Sequence, residues 1–129
     1  MSTDTTASVS THILDTSIGR PAEGVAITLA ARSGSGAEWV TLGGSATDAD
    51  GRCKDLPALP EETTHVRLDF ETETYFAKKQ AEAQQDAPRV RDSGAFFPEV
   101  AITFAVTPGE HYHVPLLLNP FGYSVYRGS

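Results

Sequence analysis

Residues 111–127, HYHVPLLLNPFGYSVYR, decide the fold. Apolar residues dominate 114–118, and the Asn-Pro-Phe-Gly sequence at 119–122 is typical of a turn. Two strand-like runs joined by a short turn indicate a β-hairpin. We therefore expect the chain to end in two antiparallel strands, His111–Leu118 and Tyr123–Arg127.

A two-residue period recurs upstream of this hairpin. Apolar side chains alternate with smaller or polar ones over residues 25–30, 65–70 and 101–106, and 39–42 is a shorter strand candidate. Such alternation places one apolar set on one face of a sheet. The separating sequences are rich in glycine, aspartate and proline, and they occupy residues 33–36, 48–51 and 108–110. Many short strands separated by turns predict an all-β sandwich or barrel.

One segment departs from this pattern. Residues Thr74 to Gln84 are rich in Ala, Lys, Gln and Glu, which favour a helix, and Thr72 is a candidate cap. The polar residues 1–10 predict a flexible tail. The chain has 129 residues, the size of one domain, so we expect a single domain over 11–129 with one short helix.

Composition excludes several classes of protein. The chain carries 10 Lys and Arg against 17 Asp and Glu, a net charge of -7, whereas a nucleic-acid-binding protein needs a basic surface. No apolar run approaches the roughly 20 residues that span a bilayer. The single cysteine, Cys53, cannot form an internal disulfide. The first residues lack the features of a signal peptide, so we expect a cytoplasmic protein without nucleic-acid or membrane partners.

Histidines are the first candidates for chemistry. His111 and His113 are two residues apart in a predicted strand and share a face, and with His12 they would supply three nitrogen ligands to a metal. No cysteine or carboxylate lies at a ligand spacing nearby, so the pattern does not favour a metal. Cys53 paired with a histidine is a candidate nucleophile, although a lone cysteine is more typical of a buried apolar position. His65 alternates with core residues and is expected to face solvent.

The two ends of the domain resemble a known family. The N-terminal residues are His12-Ile13-Leu14-Asp15, Gly19, Pro21-Ala22, Val25 and Ile27, and the C-terminal ones are 112–118, 120–124 and the tetrapeptide 126–129. The first two sets resemble the signatures of the transthyretin fold, and the tetrapeptide resembles that of its 5-hydroxyisourate hydrolase branch. The resemblance covers 11–129. It implies a transthyretin-like two-sheet β-sandwich with one short helix, assembled as a homotetramer, a dimer of dimers with active sites in a central channel.

The resemblance also implies the residues of the site. The catalytic set is His12, Arg52, His113 and Ser129, and the substrate-binding set is Arg52, Tyr126, Arg127 and Gly128. Strand alternation puts His12, His113 and Tyr126 on faces that could line one channel, whereas Arg127 would point the other way. Asn119 replaces the family's usual serine at a turn. Pro115 is unexpected because proline cannot donate a hydrogen bond within a sheet.

The implied reaction is hydrolysis of 5-hydroxyisourate to 2-oxo-4-hydroxy-4-carboxy-5-ureidoimidazoline in urate breakdown. Such a hydrolase needs a general base for water and donors for the developing oxyanion. We expect His12 and His113 to activate water together, with Ser129 holding one tautomer. Arg52 would bind the polar edge of the substrate, and Tyr126 would narrow the channel. The resemblance implies no metal or organic cofactor.

Two alternatives remain at this point. Transthyretin itself carries a small ligand in the same channel, so a carrier is possible, although Tyr126, Arg52 and two histidines would obstruct a wide channel. A metal-dependent hydrolase would use His12, His111 and His113 as ligands.

Overall fold

The computed structural model describes residues 6–83 and 95–128. Within these ranges the chain forms one helix, α1 (Thr72–Ala83), and nine strands. The strands are β1 (Ser8–Asp15), β2 (Arg20–Pro21), β3 (Ala26–Arg32), β4 (Val40–Ala46), β5 (Arg52–Cys53), β6 (His65–Phe70), β7 (Val100–Ala105), β8 (His111–Asn119) and β9 (Gly122–Val125).

The strands form two sheets. One has the order β2-β1-β8-β9, with β5 also paired to β1, and the other has the order β4-β3-β6-β7. All pairings are antiparallel except that of β1 with β8, two strands that are far apart in the chain. The predicted two-sheet β-sandwich with one short helix is therefore confirmed.

The core lies between the two sheets, where the alternating apolar residues meet. On β6, Val66, Leu68 and Phe70 are buried while the residues between them are partly exposed. Each fully buried aliphatic or aromatic side chain of this kind contributes about 1.5–3 kcal/mol. The buried set includes Ile13, Val25, Ile27, Leu29, Val66, Leu68, Phe70, Val100, Leu116 and Leu118. The first sheet thus has one face in the core and leaves the other available for a site.

The helix and the first strand both begin earlier than the sequence predicts. α1 starts at Thr72 rather than Thr74, and the Thr72 hydroxyl donates to the carbonyl of Phe97 instead of capping the helix. The predicted last residue, Gln84, lies outside the described residues. β1 starts at Ser8, so the predicted tail over 1–10 is too long. Its last three residues pair with β8, and the amide of Ser8 donates to the carbonyl of Glu110.

One buried contact ties the helix to the first sheet. The Tyr75 hydroxyl donates to the Asp15 carboxylate at 2.7 Å, and Asp15 also accepts hydrogen bonds from the amide and hydroxyl of Ser17. Burial and the neighbouring carboxylate raise the pKa of Tyr75. A buried carboxylate needs such donors because its unpaired burial is costly. The bond therefore holds α1 against the end of β1.

The terminal hairpin is confirmed, and its geometry accounts for the proline. Asn119 caps the turn, since its side-chain oxygen accepts from the amide of Phe121 at 2.8 Å. The Pro115 carbonyl faces the terminal segment, where the Tyr126 amide donates to it at 3.4 Å. The backbone N–H and C=O of a strand residue point to the same neighbouring strand. Pro115 has no N–H, so it cannot donate a hydrogen bond to the terminal segment. Regular pairing of β9 accordingly ends at Val125, two residues before the predicted Arg127.

Candidate functional site

The outer face of the first sheet brings three predicted site residues together. His12 lies opposite Arg52 in the antiparallel pairing with β5, and opposite Pro115 in the parallel pairing with β8. Ser10 lies opposite His113. Side chains of directly opposed residues emerge on the same face of a sheet. His12, Arg52 and His113 therefore share the face that is turned away from the core.

A depression of about 320 Å³ lies on this face. It is lined by Ser10, Thr11, Arg52, Lys54, His111 and His113. A larger cavity of about 430 Å³ lies beside α1, and its lining contains no predicted site residue. We take the smaller depression as the candidate site because the imidazole and guanidinium groups converge there.

The contact of His12 with a turn indicates the tautomer of its neutral ring. Its Nε2 lies 2.9 Å from the carbonyl oxygen of Asp50. A carbonyl only accepts hydrogen bonds, so the neutral ring carries its hydrogen on Nε2. The other ring nitrogen, Nδ1, is then unprotonated and able to accept a proton. The 48–51 turn thus selects the basic nitrogen of His12.

The same turn positions Arg52. The Asp48 carboxylate accepts from the amides of Asp50 and Arg52 at 2.9 and 3.0 Å, and the Arg52 bond is the main cause of the lowered pKa of Asp48. Gly51 has φ 75°, and a Cβ there would collide with the carbonyl oxygen of Ile13. Glycine is required because other L-residues disfavour positive φ and need space for the side chain. The Asp-Ala-Asp-Gly sequence therefore sets the position of Arg52 beside His12.

His113 lies close to several charged or titratable side chains. Partial burial lowers its pKa, and the nearby charges of Arg52, His12 and His111 lower it further. Its Nδ1 lies 2.9 Å from the Ser10 hydroxyl. The lowered pKa favours the neutral ring at neutral pH, and a neutral imidazole can act as a general base.

Four residues of the depression, Ser10, Thr11, Lys54 and His111, were not predicted as catalytic or substrate-binding residues. Ser10 fell within the predicted tail, although it is two residues before His12 and therefore on the same face of β1. His111 was considered only as a metal ligand, and Lys54 was not considered. The spacing of Ser10 from His12 is the one local signal that points to it. Among the described residues, no cluster of three or more His, Cys, Asp or Glu side chains has the arrangement of a metal site.

The terminal segment approaches the site through its backbone. The Gly128 amide donates to the His113 carbonyl at 2.8 Å, which forms an isolated β-bridge. Tyr126 is 57% exposed in the single chain. The predicted residue Ser129 lies outside the described residues. The segment is therefore tied to the backbone of His113 three residues beyond Val125, where the regular pairing of β9 ends.

The side chain of Arg127 is directed away from His113. Its guanidinium carbon lies 4.7 Å from the centre of the Tyr112 ring, and one terminal nitrogen lies 3.5 Å from the Glu110 carboxylate. Tyr112 is buried on the opposite face of β8 from His113. Both contacts agree with the expectation from alternation that Arg127 points the other way.

Cys53 faces the core. It is 1% exposed, and burial is the main cause of its raised pKa. A protonated, buried thiol is a poor nucleophile. The structure thus favours the expectation that Cys53 is a buried apolar residue.

Comparison with known proteins identifies the family. Residues 9–128 match the model of the HIUase/Transthyretin family. The chain belongs to this family. Among HIUase/Transthyretin sequences, the 5-hydroxyisourate hydrolase of Salmonella dublin is 40% identical over 123 residues, which cover 94% of this chain and 80% of the relative.

Solved structures of the HIUase/Transthyretin family include both named branches. The Klebsiella pneumoniae 5-hydroxyisourate hydrolase has a TM-score of 0.70 and 36% identity, covering 94% of this chain and 98% of that one. A sea bream transthyretin in complex with thyroxine also has a TM-score of 0.70, at 25% identity with 93% of each chain covered. Equal fold similarity to both branches means that the fold does not separate hydrolysis from ligand carriage. The side chains on the outer sheet face must decide between them.

Proposed function

We propose that the chain hydrolyses a ring amide of 5-hydroxyisourate in urate breakdown and yields 2-oxo-4-hydroxy-4-carboxy-5-ureidoimidazoline. The observation that carries this proposal is the convergence of His12, Arg52 and His113 on one sheet face. The similarity to named 5-hydroxyisourate hydrolases supports the substrate.

The two histidines provide the base. The Nδ1 atom of His12 is free to accept a proton, because its Nε2 is bonded to the Asp50 carbonyl. His113 is bonded through Nδ1 to Ser10, so its Nε2 is the nitrogen left for a water molecule. One imidazole takes a proton from water, and the resulting hydroxide adds to the ring carbonyl. The C–N bond then breaks, and the departing nitrogen takes up a proton. No metal or organic cofactor is needed for these steps.

Positively charged side chains provide the second component of the proposed catalytic site. Arg52 lies opposite His12, and Lys54 lines the same depression. A guanidinium presents several N–H donors in one plane and suits the polar edge of a planar, urate-like anion. The same charge stabilises the oxyanion that forms when hydroxide adds. This local charge is opposite in sign to the net charge of -7, so the site can attract an anion to an acidic protein.

The terminal tetrapeptide completes the proposed site. Tyr126 and Gly128 would contact the substrate, Arg127 would assist from the wall, and Ser129 would support a histidine tautomer. In the single chain the depression is open, so we propose that it is closed in a homotetramer, a dimer of dimers. We also propose a cytoplasmic location. In the described part of the chain, no helix has the length and apolar character that crossing a membrane requires.

The test is the ultraviolet decay of 5-hydroxyisourate generated in situ from urate by urate oxidase. We expect the full chain to accelerate the decay, both with and without a metal chelator. A matched control is His65→Asn, because His65 lies on the second sheet and bonds to Thr64. His65→Asn should keep the wild-type rate.

Two outcomes would contradict the proposal. Unaccelerated decay together with stoichiometric binding of thyroxine would favour the carrier alternative. Activity that is lost on chelation and restored by a divalent metal would favour the metal-dependent alternative with His12, His111 and His113.

A further inference from the structure

Four polar side chains on β1 and β8 form a continuous chain of hydrogen bonds. The Ser8 hydroxyl lies 2.7 Å from Nδ1 of His111, and the Ser10 hydroxyl lies 2.9 Å from Nε2 of the same ring. Ser10 also lies 2.9 Å from Nδ1 of His113. The series His113–Ser10–His111–Ser8 therefore runs from the partly buried site to the exposed first residues of β1 and β8.

The parallel pairing of β1 with β8 produces this alternation. Ser8 is opposite His111, and Ser10 is opposite His113. All four side chains are on the outer face, since each strand contributes residues two apart. This series of hydrogen bonds thus follows from the register of β1 with β8 and is not a chance contact on the surface.

The number of available hydrogens restricts the protonation of the four hydrogen-bonded side chains. A serine hydroxyl has one hydrogen, so Ser10 can donate to only one of its two imidazole neighbours and must accept from the other. If Ser10 donates to His113, then His111 donates through Nε2, and both neutral rings carry hydrogen on Nε2. If Ser10 donates to His111, then His113 donates through Nδ1, and His111 is left with its hydrogen on Nδ1, facing Ser8. In either arrangement the two histidines hold the same tautomer.

We propose that Ser10 and His111 are positioning residues for His113, because they couple the tautomers of the two imidazole rings and connect Nδ1 of His113 to solvent. The kinetic consequence rests on the proposed hydrolase function, whereas the coupling of tautomers does not. For Nε2 of His113 to accept a proton, Nδ1 must carry the other hydrogen, which is the arrangement in which Ser10 donates to His111.

The proton transfer along the chain is balanced. When Nε2 of His113 takes a proton from water, Nδ1 passes its hydrogen to the oxygen of Ser10. The original Ser10 hydrogen moves to Nε2 of His111, and the hydrogen on Nδ1 of His111 leaves through Ser8 to solvent. The site then holds one hydroxide and two neutral imidazoles that carry hydrogen on Nε2. Reversal of the same shifts restores the starting arrangement.

Several charged or titratable groups face His113 and would respond to pH. They are His12 on β1, Arg52 on β5 and His111 on β8, all of which lower its pKa, and Lys54 also lines the depression. A pH profile alone therefore cannot separate the effect of Ser10 on His113 from the effects of these groups. The primary test must read the tautomers directly.

The primary experiment is ¹⁵N NMR of the imidazole rings in the full-length chain with labelled histidine, at a pH where both rings are neutral. We expect His111 and His113 to show the same dominant tautomer. Ser10→Ala should uncouple them, so that at least one ring shifts to a different tautomer ratio. Ser10→Thr keeps a hydroxyl and should restore the coupling. Opposite tautomers in the wild type, or tautomer ratios unchanged by Ser10→Ala, would overturn the proposal.

The second experiment measures steady-state hydrolysis of 5-hydroxyisourate. Ser10→Ala should lower kcat at least about tenfold because the wrong tautomer removes the base. KM should stay within about twofold, since the serine does not bind substrate. His65→Asn is the control, because His65 lies on the second sheet, is bonded to Thr64 and takes no part in these hydrogen bonds, and its kcat should stay within about twofold.

The two experiments separate the possible failures. If the wild type does not hydrolyse 5-hydroxyisourate, the proposed function fails, and NMR still decides the coupling. If the wild type is active and His113 is essential, but Ser10→Ala leaves kcat and tautomers unchanged, the positioning role alone is wrong.

Discussion

Gly128 lies directly against the imidazole of His113. A Cβ added at Gly128 would stand 2.9 Å from Cδ2 of that ring and 3.1 Å from Cγ of Pro115. The Gly128 amide also donates to the His113 carbonyl at 2.8 Å. The terminal segment therefore touches both the backbone and the ring of a proposed base, and only glycine leaves the ring in its observed place.

Gly128→Ala should reduce turnover without unfolding the protein. Because Pro115 is rigid, the new methyl group must displace the imidazole of His113, and a shift of about 1 Å in a reacting group costs up to about 100-fold. We expect kcat to fall at least about tenfold, with a thermal midpoint close to that of the wild type. Gly122→Ala is the matched control, since its Cβ would meet only Asn119 at 4.0 Å. Equal activity of both variants would show that the contact is unimportant.

Replacing either proposed base should have a larger effect. His12→Asn and His113→Asn each remove a nitrogen that can take a proton from water, and acid–base assistance is worth at least about 100-fold. The measurement is the initial rate of 5-hydroxyisourate decay at saturating substrate. Near-normal turnover of His12→Asn would show that His12 is not the general base, and His113 would then be the single candidate.

Charge removal at Arg52 should raise the pKa of His113. The wild-type pKa lies below its ordinary value of 6.5, first because of partial burial and then because of Arg52. Arg52→Gln removes that repulsion, so titration of the His113 ring by NMR should move to higher pH. No change in the His113 titration would show that Arg52 does not act on this ring.

The same shift predicts how stability depends on pH. A depressed pKa means that the unfolded chain binds the proton more readily than the folded chain. Neutral His113 therefore makes its full contribution to the free energy of unfolding above about pH 6.5. That contribution is lost as the pH falls through the pKa of the folded state. The free energy of unfolding can be measured with urea at about pH 8 and about pH 5.5. Its decrease between the two pH values should be smaller for Arg52→Gln than for the wild type.

Removing residues 127–129 should abolish most activity but keep the fold. The Arg127–Glu110 ion pair is exposed, with side chains 65% and 52% accessible, and such pairs contribute little to stability. The truncated chain loses the Gly128 contact with His113 and the proposed role of Ser129. Arg127→Gln is the control, because it keeps Gly128 in place and should retain more activity. A truncated chain with wild-type turnover would exclude the terminal residues from the mechanism.

Tyr75→Phe should destabilise the fold. The substitution removes a 2.7 Å hydrogen bond to the buried Asp15 carboxylate, and an unsatisfied buried acceptor costs about 1–3 kcal/mol. The free energy of unfolding, from chemical denaturation, should fall by that amount. Tyr123→Phe is the control because Tyr123 is 41% exposed. An equal loss in both variants would show that the Asp15 contact has no special weight.

Local pattern was sufficient for most strands. The two-residue period over 65–70 predicted the buried face of β6, and the 119–122 turn predicted the terminal hairpin. Element ends were less accurate, because they depend on distant partners. β1 begins at Ser8 since β8 is there to pair with it, and β9 ends at Val125 since Pro115 offers no donor.

The sequence by itself predicted an all-β sandwich or barrel from its alternation, and its resemblance to the transthyretin family supplied the two-sheet fold and the candidates His12, Arg52 and His113. Only the tertiary structure decided how these residues meet. The parallel register of β1 with β8 sets Ser10 against His113 across 103 residues of chain, and β5 sets Arg52 against His12. The physical reason is that alternation defines which face a side chain takes, whereas its neighbours on that face depend on pairing between distant strands.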